Sequence, residues 1–331
     1  MSVKREIIRI LLIIDCILLV FALLNSTLLW NKAGLPKEYK TNISSLTFQV
    51  KHINKVEQII EFDGKKIDKP GLIAFYLMKH RINDSVTIKS ILDDKIIVRH
   101  AILSRHFQKS DIIILIMVTL LYFFTGIYIL LKYKTSEFAF IMHLLSVCTG
   151  VMVLYDWGDL FTYPKIISYI ILSIFEIGIF MVPTLFLHFS FNYPVSNSKY
   201  KFIVLVPFYS ISIVSIIISL INLTRIIFLN VDINDTNFLL FHTIIADIFL
   251  IVGLISTVAK LEHSALTITD ALSRNQIYWV LLGISFGPLI YVFLRLMPRL
   301  LLGYELVSEV FLDITIIVAP IMFLVSVSRK K

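Results

Sequence analysis

Apolar residues in this chain come mostly in unbroken runs about as long as a bilayer is thick. Eight runs approach the roughly 20 residues that a helix needs to cross the hydrocarbon. They are Ile7–Trp30, Ile112–Leu131, Phe138–Trp157, Ile166–Phe191, Phe202–Leu223, Phe238–Ala259, Ile277–Met297 and Val307–Ser326. The last two are interrupted by Pro288, Pro298 and Pro320, which spanning helices tolerate when neighbours satisfy the freed carbonyls. The first run is too long for the apolar core of a signal peptide, and no small-x-small cleavage pattern follows Trp30, so it reads as an uncleaved anchor.

One segment, between the first two runs, changes period. Thr47–Val50 and Gln58–Phe62 read as strands, Asp63–Gly64 as a tight turn, and Ile67 as the start of a short strand. Pro70 then precedes Leu72, Ile73, Phe75, Tyr76, Leu77 and Met78, whose i, i+3, i+4 spacing predicts one helix. Ser85–Ile91 and Lys95–Leu103 alternate on either side of Asp93–Asp94 and predict a hairpin. The fold class expected is a mainly α polytopic membrane protein. Eight transmembrane helices carry a small α+β domain between helices 1 and 2. The expected parts are an anchor (residues 1–30), an extracytoplasmic domain (31–110), a seven-helix membrane block (111–328) and a cytoplasmic end (329–331).

Composition agrees with a membrane class. Of 331 residues, 57% are hydrophobic and only 16% charged, where soluble domains carry about 25% charge. The net charge is +8, and residues 31–110 hold 15 Lys and Arg against 8 Asp and Glu, or +7 of it. That segment reads as a solvated lysine-rich surface or as one drawn to anionic lipid or an acidic ligand. Nucleic acid is not indicated, because no basic stripe is interleaved with aromatics. Cys16 and Cys148 lie in apolar runs, so there is no disulfide framework, no zinc spacing and no implied cofactor.

Basic residues orient the chain. With a cytoplasmic N-terminus, 12 Lys and Arg fall on the inner side and 4 in the short outer loops (Lys165, Arg225, Arg295, Arg299), so both termini read as cytoplasmic. Trp30, Trp157, Tyr163 and Tyr304 then mark the outer interface. No internal repeat is visible, which argues against an inverted-repeat transporter.

Ionisable residues inside spans are costly and point to function by default. Glu176 and Asp247 fall near the middle of the fourth and sixth runs. Asp156, Asp159, Arg295, Arg299, Glu309 and Asp313 fall near the outer face, and His143 and His188 near the inner one. Asp15 and His242 also lie within runs. Arg295 with Asp313 or Glu309 makes either a structural ion pair or the wall of a ligand pocket. Glu176 and Asp247 read as interhelical hydrogen bonds or as a ligand or proton site. Pro183, five residues before His188, invites a kink there. Arg274, Gln276 and Trp279 read as an inner-leaflet anchor or as a signal-coupling contact. Serine-hydrolase, zinc-protease and phosphate-loop motifs are missing, so the chain is not expected to be an enzyme.

Two resemblances add to this. "VEQIIEFDGKKI", "PGLIAFYLMKHR" and "DSVTIKSILDDKIIVRHAIL" resemble the later strands and ligand-flanking helix of a PDZ domain, over Thr47–Leu103. Such a fold implies either a peptide reader, which works by strand addition, or a docking platform. The second resemblance spans essentially the whole chain. "LHFSFNYP" (His188, Phe189, Pro194), "SRNQIYWVLLG" (Arg274, Gln276, Trp279, Gly283) and the Pro320 helix look like the sensor region of ComP-type histidine kinases of bacterial quorum sensing. That family implies a multi-pass sensor in the bacterial inner membrane, working as a homodimer. It would detect a peptide or lipid-like signal amid membrane lipids, and a cytoplasmic kinase or phosphatase would supply the output. The chain shows no phosphoacceptor or ATP-binding boxes of its own. The other function weighed is a transporter or channel-like protein using intramembrane carboxylates.

Overall fold

The computed structural model describes residues 2–36, 39–41, 47–50, 56–68, 72–92, 95–134, 136–155, 164–195, 200–302, 307 and 314–328. The first long apolar run folds as helix α1 (Ser2–Leu29). A strand pair follows whose members lie far apart in sequence: β1 (Ala33–Gly34) is antiparallel to a last short strand (Ser104–Arg105), with Ala33 opposite Arg105. This neck brings the chain back to where it left the helix, and the Arg105 guanidinium covers the Trp30 ring at 4.1 Å.

Within the neck sits an antiparallel sheet of β2 (Tyr39–Thr41), β3 (Thr47–Val50), β4 (Val56–Phe62), β5 (Lys65–Lys66), β6 (Ser85–Leu92) and β7 (Lys95–Ile102). The order is β2-β3-β4-β6-β7, with β5 paired to β4. The turn at Asp63–Gly64 forms as expected, both residues at positive φ (47° and 77°), the geometry that suits a two-residue hairpin loop. The short strand ends one residue before Ile67. Ile67 donates its N–H to the Ile60 carbonyl instead, at the bulge where the β4–β6 register shifts between Ile59 and Glu61. Helix α2 (Leu72–Leu77) lays Leu72, Ile73, Phe75, Tyr76 and Leu77 on the sheet. Pro70 and the Asp93–Asp94 turn lie outside the described residues, as does the whole segment between β3 and β4.

The chain then crosses back and forth in α3 (Lys109–Lys132), α4 (Glu137–Tyr155), α5 (Lys165–Asn192), α6 (Lys201–Ile227), α7 (Ala246–Thr267) and α8 (Ala271–Phe286). Asp270 caps α8 through the Leu272 and Ser273 N–H groups. At Gly287 the helix breaks and resumes as α9 (Pro288–Tyr291) and, after a π-helical stretch, α10 (Met297–Leu302). The last helix is α11 (Val318–Ser328). Helices α3, α4, α5, α7, α8 and α11 each pack on the next and close into a ring, with α1 outside on α3 and α4, and α6 outside on α5. The exposed faces of α1 and α6 carry large apolar side chains such as Ile10, Ile13, Phe202 and Ile203, as lipid contact requires.

Among the described residues seven helices are long and apolar enough to cross a membrane, so the protein is a multi-pass membrane protein. Of the eighth expected run, Val307–Ser326, the described part apart from Val307 belongs to an apolar helix at Ile314–Ser328, about 22 Å long at 1.5 Å per residue. Hydroxyls bind this last segment to the ring. Tyr122 donates to the Ile316 carbonyl, Tyr133 to Val327, and Ser326 to Gln276, while Tyr193 and Ser326 share a hydrogen bond of 2.7 Å.

The sheet domain is not separate from the bundle. Its core runs on into Leu172 of α5, Leu223, Ile226 and Ile227 of α6, and Ile233, Phe238 and Leu239 of the connection after α6. Asn234 there donates to the Tyr76 hydroxyl at 3.2 Å. Burial, followed by the nearby Asp232 charge, holds the Tyr76 phenol above its ordinary range.

Pro183 is carried within α5 without a break in the helix. Its ring presses on Gly253 of α7. A Cβ at 253 would stand 2.5 Å from the Pro183 Cβ and 3.0 Å from its Cα. Gly253→Ala is therefore expected to cost about 1–3 kcal/mol through overpacking. Thermal unfolding in detergent checks this, and an unchanged midpoint would refute the contact.

Candidate functional site

Two short stretches of the bundle wind as π-helix, Leu240–Ile245 leading into α7 and Val292–Leu296 between α9 and α10. Their wide turns show in bonds from the Ala246 N–H to the Phe241 carbonyl and from the Met297 N–H to Val292. Pro298 supplies a cause for the second stretch, since it has no N–H to return to the carbonyl of Leu294. Nothing comparable explains the first. Single π turns inside α-helices recur at functional sites, and here each carries a buried ionisable residue, His242 and Arg295.

These two face a pocket in the half of the bundle nearer the sheet domain. His242 Nδ1 lies 2.5 Å from Oε1 of Glu176, whose side chain is fully buried on α5. The other Glu176 oxygen has no hydrogen-bond partner among the described residues. The His242 ring stacks on Phe238 at 5.0 Å. Further along, Asp247 accepts from Arg299 through Nε at 3.0 Å and through Nη2. Arg295, one turn before Arg299, donates to the Tyr291 hydroxyl at 2.9 Å. Leu115, Phe175, Leu250 and Ile316 supply apolar wall. About 60 Å³ of the pocket is open to the centres of water-sized molecules, where a single water needs about 10–15 Å³. The pocket therefore has room for several waters or for a small polar head.

The structure brings together some of the residues singled out from sequence and separates others. Arg295, Arg299 and Asp247 meet at the pocket, with Glu176 behind its wall through His242. Asp247 is the eighth residue of the 28-residue span Leu240–Thr267, so it sits in the first third of its helix rather than at the middle. The apolar run stops at Ala259, whereas the helix continues to Thr267, and this longer far end sets the depth. Asp156, Asp159, Glu309 and Asp313 lie outside the described residues. His143 pairs inside the bundle. It is buried in α4 with its Nε2 3.4 Å from Asp15 near the middle of α1.

His188 belongs to a different cluster, at the far end of the bundle. Its Nδ1 is 2.7 Å from the Tyr209 hydroxyl and its Nε2 is 3.6 Å from Glu137, which also takes the Lys201 ammonium. On α8, Arg274 is exposed, Trp279 half-buried and Gln276 buried, and the Gln276 carbonyl holds Ser326 of the last helix. Sequence reasoning missed the pairs Glu176–His242 and Asp247–Arg299. They span 66 and 52 residues, and no local spacing announces them. Pro298 was the one readable sign of an irregular turn nearby.

A buried carboxyl that loses its partner is costly. His242→Leu should lower stability by about 3–5 kcal/mol. Adding Glu176→Met to it should recover much of that loss. Thermal midpoints of the two variants check the coupling, and equal destabilisation in both would contradict it.

Comparison of the chain with protein-family models, curated proteins and solved structures finds no match.

Proposed function

We propose that this chain is the membrane sensor region of a bacterial signal-transduction protein of the histidine-kinase type. It detects an extracellular or membrane-borne signal and passes it inward through the last helix. In this reading the sheet domain is the PDZ-like, extracytoplasmic part. Its strand order, the Asp63–Gly64 turn and helix α2 on the sheet support that likeness. Eight spans cross the bacterial inner membrane, and both termini are cytoplasmic. The signal is a peptide or lipid-like molecule, the working form is a homodimer, and a kinase or phosphatase supplies the catalytic output.

The observation that carries the reading is the route from pocket to last helix. Ile316 forms part of the pocket wall, and its carbonyl is gripped by Tyr122 of α3. From there the chain runs into α11, held by Tyr133 and Ser326 at its far end. An occupant that prefers one packing of this wall shifts the balance between two arrangements of α11, and it does so only to the extent that it binds them differently.

A second reading, a transporter using intramembrane carboxylates, draws on the fully buried Glu176, one oxygen of which has no hydrogen-bond partner among the described residues. Two measurements separate the readings. Photoreactive peptides and amphiphiles applied to the full chain in nanodiscs should give saturable adducts at pocket residues such as Met152 and Phe175. Absence of specific adducts with every probe would sink the sensor reading. Substrate flux in proteoliposomes, abolished by Asp247→Asn, would put transport in its place.

A further inference from the structure

One deeply buried acid of the bundle has a route to water. We propose that Glu176 binds an exchangeable proton, and that the His242 imidazole carries this proton between Glu176 and water in the pocket. The proton site stands on its own geometry, whatever signal the sensor takes.

Three observations carry it. First, Glu176 is fully buried on α5. One of its oxygens is 2.5 Å from His242 Nδ1, and the other has no hydrogen-bond partner among the described residues. A carboxyl with acceptor capacity to spare is costly inside a bilayer as a bare charge, and such acids mark proton relays. Second, His242 belongs to both places. It bonds Glu176 and it also lines the pocket. About 60 Å³ there is open to the centres of water-sized molecules, where one water needs about 10–15 Å³. Third, His242 lies in the π-helical stretch Leu240–Ile245. No proline explains that stretch, and such turns recur at functional sites.

In the transfer, a hydronium ion in the pocket gives its proton to Nε2 of His242 and is left as water. The Nδ1 proton passes to the facing Glu176 oxygen. The imidazole ends neutral in its other tautomer, and the carboxylate becomes a carboxylic acid. The reverse step returns the proton to the pocket. The other titratable and charged groups along this path are Asp247, Tyr291, Arg295 and Arg299, all in the pocket lining. From α4 comes Cys148, which packs on α5 at Gly178. From Ile211 to Leu223, α6 carries no titratable side chain, and α3 brings Leu115 to the lining.

The test is infrared difference spectroscopy of the full chain in nanodiscs, stepped in pH. A band of a buried, protonated carboxyl should grow as pH falls, shift in heavy water and be lost in Glu176→Gln. Isotopic labelling of glutamate carboxyls in the wild type should move the same band, which separates it from Asp15 and Asp247 even where Glu176→Gln does not fold. His242→Asn keeps an amide donor near the Nδ1 position and cannot relay a proton. Exchange of the band into heavy water should slow about a hundredfold in this variant, as loss of a positioned acid–base group does. Met152→Trp fills the pocket, leaves every titratable group in place and should slow exchange likewise. No pH-dependent carboxyl band, a band that glutamate labelling leaves unmoved, or undiminished exchange in either His242→Asn or Met152→Trp would overturn the proposal.

Discussion

A charge inside hydrocarbon has to find its partner within the protein, because water is not there to solvate it. The arrangement of this bundle follows from that constraint at three places. Asp247 and Arg299 join the start of α7 to α10. Glu176 and His242 join α5 to the π-helical stretch before α7. Asp15 and His143 join α1 to α4. Each pair connects helices far apart in sequence, and the two hydrogen-bonded ones, Asp247–Arg299 and Glu176–His242, would leave a stranded polar group if their helices slid or turned. Dispersion packing alone permits many rotations of one apolar helix on another, since lipid tails are as apolar as the side chains they replace. The pairs select among those rotations.

The same reasoning explains how α1 stays attached. Most of its surface is apolar and exposed, and its main contacts among the described residues are with α3 and α4. Its polar contacts there are Asp15 with His143 and the Asn25 amide on the Leu154 carbonyl at 2.8 Å. The sheet domain, by contrast, is held by continuity of apolar core through α2 into α5 and α6. Its two-stranded neck and its seat under α2 are separate attachments. A displacement of α2 is therefore felt at the sheet-side ends of two bundle helices.

Much of this architecture can be read from residue pattern, and what cannot be read has a common cause. Long apolar runs announce spanning helices because an unbonded backbone is prohibitive in lipid. Asp63–Gly64 announces its hairpin because few residues accept positive φ, and the spacing Leu72, Ile73, Phe75, Tyr76 announces α2 because those positions share a helical face. These are local constraints. The neck of Ala33–Gly34 with Ser104–Arg105 is too short to show alternation and depends on partners 70 residues away. The pairing of Asp247 with Arg299 depends on the winding of α9 and α10. The depth of Asp247 depends on where its helix ends, and the polar turns from Lys260 to Thr267 lie beyond the apolar run.

A π turn holds one residue more than the α turn it replaces. Returning either stretch to α-helix would displace everything beyond it by one position, about 1.5 Å along the axis and about 100° around it. His242 and Arg295 lie within the two stretches, and Asp247 and Arg299 follow immediately. Among the described residues the helices thus keep two spare residues, and both adjoin the same pocket. Its charged wall is set by residue counting as much as by side-chain choice, and a one-residue insertion or deletion in either helix would re-aim the wall without altering a single charge.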